Sequence, residues 1–200
     1  MGGRPVTALV QRGLPPALRA GAAQLYWQAF GGKLGRVLGP RAKALAFLER
    51  VIREDQVIVA LDLSGNLLGI AGFKTPEGSF AGGGVADMRA IYGRIGAAWR
   101  GGLLRLLAQE IDNTRFLLDG ICVTPAARGQ GLGAALLQAI CDEAGSRGYR
   151  AVRLDVVDGN WRARALYARL GFVAEKTEKL GLLRFVFGFA SSTTMVRALD

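Results

Sequence analysis

The spacing of apolar residues changes period several times along the chain, and each change marks an element. Residues 5–11, with an apolar run at 8–10, predict a first strand. Residues 15–30 and 40–53 carry apolar side chains at three- and four-residue intervals, which predicts two amphipathic helices. Gly31, Gly32 and Gly35 are expected to end the first of them. Residues 56–61 and 67–73 are near-continuous apolar runs flanking Ser64-Gly65-Asn66, the pattern of a hairpin. The next segment, 75–115, is longer than a hairpin needs. Gly82, Gly83 and Gly84 are expected to mark a flexible tip. A helix-like pattern then fills much of 87–110, and Gly93, Gly96, Gly101 and Gly102 are expected to cut it into pieces. A buried strand follows at 116–123, then an amphipathic helix at 131–145 with Leu132, Leu136, Leu137 and Ile140 inward. Residues 151–157 predict a strand and 161–170 a short helix. The tail predicts strands at 172–179, 183–189 and 193–198. No linker, repeat or low-complexity tract interrupts this order. The chain reads as a single α/β domain over residues 1–200, with an extra loop or helical segment at about 75–115.

Composition narrows the chemistry. Half of the 200 residues are hydrophobic, so a full core needs no metal or disulfide. The two cysteines, Cys122 and Cys141, fall in predicted elements and suit core packing in a reducing compartment. No histidine occurs, which excludes histidine-based triads and argues against a conventional metal centre. No apolar run has the length of a membrane span or the form of a signal peptide, so a cytoplasmic protein without membrane contact is expected. The net charge of +10 comes mainly from scattered arginines. It fits a solvated surface or attraction of an anionic ligand better than nucleic-acid binding, because no basic run is interleaved with aromatics.

Residues 121–133 read Ile-Cys-Val-Thr-Pro-Ala-Ala-Arg-Gly-Gln-Gly-Leu-Gly. A strand ends, a loop follows, and alternating glycines lead into a helix. Such a junction exposes backbone N–H groups where the helix dipole favours negative charge, a natural seat for a phosphate or pyrophosphate. Glycine lets the backbone approach the ligand, and Arg128 adds positive charge. The stretch from Gly129 to Ala134 also meets the loose dinucleotide pattern, with Asp155 near the position of its ribose-binding acid. Against that, Thr124 to Arg128 separate strand from glycines, and too little chain follows for the remaining βα units. A Walker loop is excluded because no Gly-Lys-Ser/Thr follows.

A second block, residues 160–172, reads Asn-Trp-Arg-Ala-Arg-Ala-Leu-Tyr-Ala-Arg-Leu-Gly-Phe. Together the two blocks resemble the GNAT superfamily of N-acetyltransferases. Arg128, Gly131 and Gly133 match its first signature, R/Q-x-x-G-x-G/A. Asn160, Ala163, Leu166, Tyr167, Gly171 and Phe172 match its second. The close match covers about residues 116–173. The resemblance implies an α/β (α+β) fold with a mixed, mostly antiparallel central sheet flanked by helices, and strands that splay at the cofactor site. It implies acetyl-CoA as acyl donor and no metal. Ile121, Cys122 and Val123 would contact the pantetheine arm. Arg128, Gly129, Gln130, Leu132 and the two signature glycines would hold the pyrophosphate.

Asn160, Ala163 and Tyr167, at i, i+3 and i+7, share one helix face. By resemblance Asn160 bonds the pantetheine, Ala163 leaves room for it, and Tyr167 is the general acid toward the departing thiolate. Helix capping by Asn160 and plain packing of Tyr167 are the other readings. A lysine-like amine is less than about 0.1% neutral at pH 7, so a proton acceptor is useful. Asp119 is the candidate base, and alternation predicts it on the same face as Ile121 and Val123. Binding backbone or pairing with an arginine are the alternatives, while Asp155 reads as structural. Tyr26, Trp27, Phe30, Phe80, Tyr92 and Trp99 are candidate pocket aromatics from the first two helices and the 75–115 segment; core packing competes with this for each.

These features predict direct transfer of acetyl to a primary amine of a small molecule or peptide in a ternary complex. The alternatives are a non-catalytic acyl-CoA-binding or sensor module, and a transferase acting on protein or RNA. The apolar tail strands are compatible with a homodimer.

Overall fold

The computed structural model describes residues 7–107 and 114–199. Positions 5 and 6 of the expected first strand, and 108–110 of the expected helical stretch, lie outside them. In the N-terminal half the elements are β1 (Leu9–Arg12), α1 (Arg19–Leu38), α2 (Arg41–Val51), β2 (Val57–Leu61), β3 (Leu67–Thr75), β4 (Gly78–Ser79) and α3 (Val85–Leu107). Then come β5 (Phe116–Val123), α4 (Leu132–Ser146), β6 (Ala151–Val157), α5 (Trp161–Arg169), β7 (Val173–Lys179), α6 (Arg184–Phe187) and β8 (Ser191–Ala198).

The strands form one sheet in the order β1-β2-β3-β5-β6-β8-β7, with β4 beside the end of β3. Every neighbouring pair is antiparallel except β5 and β6. This is the mixed, mostly antiparallel sheet flanked by helices that the resemblance implies. All of β2 is buried because both its faces are covered. Ile58 and Ala60 join Leu136, Leu137 and Ile140 of α4 in one core. Val57, Val59 and Leu61 join Ala22, Ala23, Tyr26 and Leu48 of α1 and α2 in a second core on the opposite face. Asp62 closes the β2–β3 turn by accepting from the N–H groups of Ser64 and Asn66, each at 2.8 Å, while Gly65 takes φ +82°.

Three local expectations are corrected. First, α1 runs straight through Gly31, Gly32 and Gly35 to Leu38. Glycine costs only about 1 kcal/mol in a helix, whereas burying Val37 and Leu38 beyond it contributes about 1.5–3 kcal/mol each. Gly31 also makes room for a ring, since a Cβ there would stand 2.9 Å from Trp27 Cε2. Second, the segment expected as a strand at 183–189 is a helical turn, α6. It belongs to the connection between the paired strands β7 and β8, and it turns Phe187 into the interior while the Phe185 carbonyl accepts from Arg36 on α1. Third, α3 is interrupted once, at Gly93 (φ +70°, ψ 177°), and the later glycines stay helical. The exposed stretch Gly82–Gly84 passes close to α2: a Cβ on Gly83 would come within 2.5 Å of Phe47 Cζ.

Glycine is also required inside the sheet. A Cβ on Gly72 of β3 would lie 2.7 Å from Cβ of Phe80, a fully buried ring. The Gly72→Ala chain is therefore expected to lose about 1–3 kcal/mol, read as a lower urea midpoint at unchanged slope. An unchanged midpoint would show that Phe80 shifts without cost.

Candidate active site

The two central strands are joined at one end only. β5 and β6 pair at Phe116↔Val152 and Leu117↔Arg153, and among the described residues no further pair follows. Each strand is otherwise held by its outer neighbour. β5 pairs with β3 from Leu117 to Val123, and β6 pairs with β8 along its whole length. From Leu118 onward β5 therefore borders a gap.

On β5 itself, Phe73 faces Leu118 while Gly72 faces Gly120, so Asp119 is an extra, bulged residue. The bulge resets the alternation. Leu118, Ile121 and Val123 pack into the α4 face. Gly120 and Cys122 turn to the α1 face, where Phe30 covers Gly120 and Tyr26 shares the core with Cys122. Asp119 opens into a cavity beside Tyr26, Phe30 and Ser79 on that same side. The expectation that Asp119 shares a face with Ile121 and Val123 is thus corrected, because simple alternation does not see a bulge.

On the α4 face, the loop after β5 makes a short helical turn (Pro125–Ala127) and enters α4 through Gly131. Gly129 (φ +77°) and Gly131 (φ +80°) adopt the left-handed conformation, and a Cβ on either would meet nothing within 4 Å. Their glycine is required by backbone conformation, and it leaves open space above the loop. The N–H groups of Gly129, Gly131, Leu132 and Gly133 have no backbone partner among the described residues. This open row at a helix N-terminus fits a diphosphate. Arg128 folds back, its Nε donating to the Val123 carbonyl at 3.3 Å, and Gln130 Nε2 donates to the Ala126 carbonyl at 3.0 Å.

Across the gap, Asn160 caps α5 by accepting from Ala163 N–H at 3.3 Å. Ala163 is half-buried against the α4-face core, and Tyr167 is buried in it. The Tyr167 ring lies 6.1 Å from that of Phe172, and its hydroxyl makes no hydrogen bond with a described residue. Burial, with a smaller contribution from the Cys122 thiol, pushes its pKa up to about 12. Burial also pushes Cys122 up to about 12, partly offset by Arg128. On the other face, burial raises Tyr26 well above the usual phenol, with Asp119 and then Cys122 adding to it. Cys122 is thus close to phenols on both sides of the sheet.

The α1-side cavity has a volume of about 1010 Å³. Ser79 Oγ donates to Asp119 Oδ2 at 2.8 Å. Asp155, which also lines the cavity, accepts from Thr194 Oγ1 and lies 3.5 Å from Arg153 Nη2. Of the six aromatics considered, Tyr26 and Phe30 line this cavity. Phe80 is core, Tyr92 donates to the Leu38 carbonyl at 2.5 Å, Trp27 packs on Gly31, and Trp99 is half-exposed against Arg100. Lys33, Ser79 and Phe189 also line the cavity and were not legible. Lys33 shares the Tyr26–Phe30 face, so reading α1 past its glycines reveals it.

The acetyltransferase (GNAT) family model matches residues 20–172. That is well over half of the chain, and the chain belongs to this family: it is an acyltransferase of a family that uses acetyl-CoA. No curated protein matches the sequence. The fold is similar to that of a Corynebacterium glutamicum protein described as histone acetyltransferase HPA2 and related acetyltransferase, at 21% identity and TM-score 0.67, covering 98% of each chain. It is also similar to Ard1 from Thermoplasma volcanium, at 15% identity and TM-score 0.62, covering 98% of this chain and 99% of that one. A third is the ribosomal-protein-S18-alanine N-acetyltransferase of Escherichia coli, at 16% identity and TM-score 0.55, covering 97% and 95%. At these identities the likeness carries the fold alone.

The raised phenol has a measurable consequence. A folded pKa of about 12, against 10.0 for an ordinary tyrosine, favours the protonated form in the native state. Its contribution to stability is complete below pH 10 and is lost as pH rises toward 12. Ultraviolet titration of the native chain minus Tyr167→Phe is expected to show one phenolate midpoint near 12. A midpoint near 10 would mean that Tyr167 is solvated.

Proposed function

We propose that this chain transfers acetyl from acetyl-CoA directly to a primary amine of a small molecule. The observation that carries this is the gap beside β5, which has Tyr167 on one side and Asp119 on the other. The Gly129–Gly131 loop would cradle the diphosphate, with Arg128, Gln130, Leu132 and Gly133 around it. The strand edge at Ile121, Cys122 and Val123 would pair with the pantetheine, and Asn160 would trade its cap for that arm beside Ala163. The acceptor would enter through the α1-side cavity, where Asp119 takes the ammonium proton directly or through water. The amine nitrogen then bonds to the acyl carbon, the carbon–sulfur bond breaks, and Tyr167 donates its proton to the leaving thiolate. The bulge at Asp119 supports this division, because it turns the carboxylate toward the acceptor's side.

Direct attack is favoured over an acyl-cysteine. With a pKa of about 12, Cys122 is thiolate in only about one part in 10⁵ at pH 7. Two unpaired, buried cysteines also fit a cytoplasmic setting.

Thiol release from acetyl-CoA across a panel of amines tests the reading. Tyr167→Phe and Asp119→Asn are each expected to lower kcat by about 10²–10⁴-fold while calorimetric acetyl-CoA affinity stays within about threefold. Unchanged rates would remove either residue from the chemistry. Gly131→Ala is expected to weaken acetyl-CoA binding by about tenfold or more, because it strains the left-handed turn and fills the space above it. Undiminished affinity would place the diphosphate elsewhere.

A further inference from the structure

One face of α1 looks along the acceptor cavity and carries Tyr26, Phe30 and Lys33 at i, i+4 and i+7. Tyr26 stands beside Asp119, whose charge acts on its phenol. Phe30 lies over Gly120, where a Cβ would come within 2.7 Å of the ring. Lys33 is farther along, about 10 Å from Tyr26 by helical rise. The Lys33 Nζ stands 5.6 Å from the Phe30 ring and 5.7 Å from the Phe189 ring. Two rings thus hold the ammonium at the cavity wall instead of letting it swing into solvent.

No carboxylate pairs with Lys33 among the described residues, and burial lowers its pKa from the ordinary lysine value. The cavity's carboxylates are engaged elsewhere. Glu178 pairs with Lys176 at 2.5 Å, Asp155 lies beside Arg153, and Asp119 is bonded by Ser79. In total five basic side chains line the cavity against three carboxylates. Aromatic faces alone hold an ammonium less strongly than a charge-assisted bond to a desolvated anion does. The wall therefore presents a positioned cation whose natural counter-ion is absent from the described chain.

We propose that Lys33 anchors the acceptor, and that the acceptor is a small molecule with a carboxylate at one end and the reacting amine at the other. The carboxylate binds Lys33 between Phe30 and Phe189, and the amine reaches Asp119 at the gap. The separation along α1 selects a terminal amine several bonds from the acid over the amine of a simple α-amino acid. This inference rests on the N-acetyltransferase reading above.

The test compares ε-aminocaproate with its uncharged amide and with glycine, in the wild type, Lys33→Gln and Lys33→Arg. Thiol release is expected to give a kcat/KM for ε-aminocaproate at least about tenfold above the amide and above glycine. Lys33→Gln is expected to bring the acid-to-amide ratio close to one, and Lys33→Arg to keep most of it. Binding is read separately by NMR on protein with ¹³C-labelled lysine, where the Lys33 Cε signal is identified by its loss in Lys33→Gln. That signal is expected to move on titration with ε-aminocaproate and not with the amide. Movement without thiol release would uphold the anchor and count against transfer to this amine. Thiol release with equal acid and amide kcat/KM would overturn the anchor while leaving the transferase reading intact. Neither movement nor a ratio above one would also overturn it.

Discussion

The site depends on a sheet whose two halves are joined at one end. β5 is locked to β3 and β6 to β8, each by an antiparallel ladder, while β5 and β6 share two register pairs before parting. Each half is held by its own antiparallel ladders and both share the core under α4, so the parting cannot close by small side-chain movements. It leaves a central strand with one unpaired edge inside the molecule, something a folded chain tolerates only where water or a ligand satisfies that edge. The loop at α4, the phenol of α5 and the cavity under α1 are all placed by reference to this gap.

Burial then tunes what stands at the gap. Keeping Tyr167 protonated up to about pH 12 corresponds to roughly 3 kcal/mol of preference for the neutral phenol. That preference keeps a proton on the donor and makes its loss to solvent costly. The same desolvation quiets Cys122 as a nucleophile. The bulge lifts Asp119 out of the ladder, and its carboxylate accepts from Ser79 Oγ. One strand thereby presents apolar side chains to one face and a carboxylate to the other.

Much of this was legible. β5 and β6 fall at the predicted bounds, and α4 buries the four predicted side chains, Leu132, Leu136, Leu137 and Ile140. Those segments have strong periodicity and sharp turn residues. The errors arose where local cost was weighed without tertiary gain. Three glycines read as a helix end, yet Val37 and Leu38 have a core to enter. The apolar run near Phe187 read as a strand, yet β7 and β8 already pair with each other and the segment is needed to cross back to α1. The first of these errors hid Lys33.

The sequence by itself determined the family, the glycine-bearing helix entry and the candidate residues, because those rest on backbone conformation and spacing within one element. Only the tertiary structure decided which face Asp119 serves, that Tyr26, Phe30 and Lys33 line one cavity, and where along β5 the parting from β6 begins. Those facts are set by ladders and cores between distant segments, and a one-residue bulge is enough to reverse what alternation alone predicts.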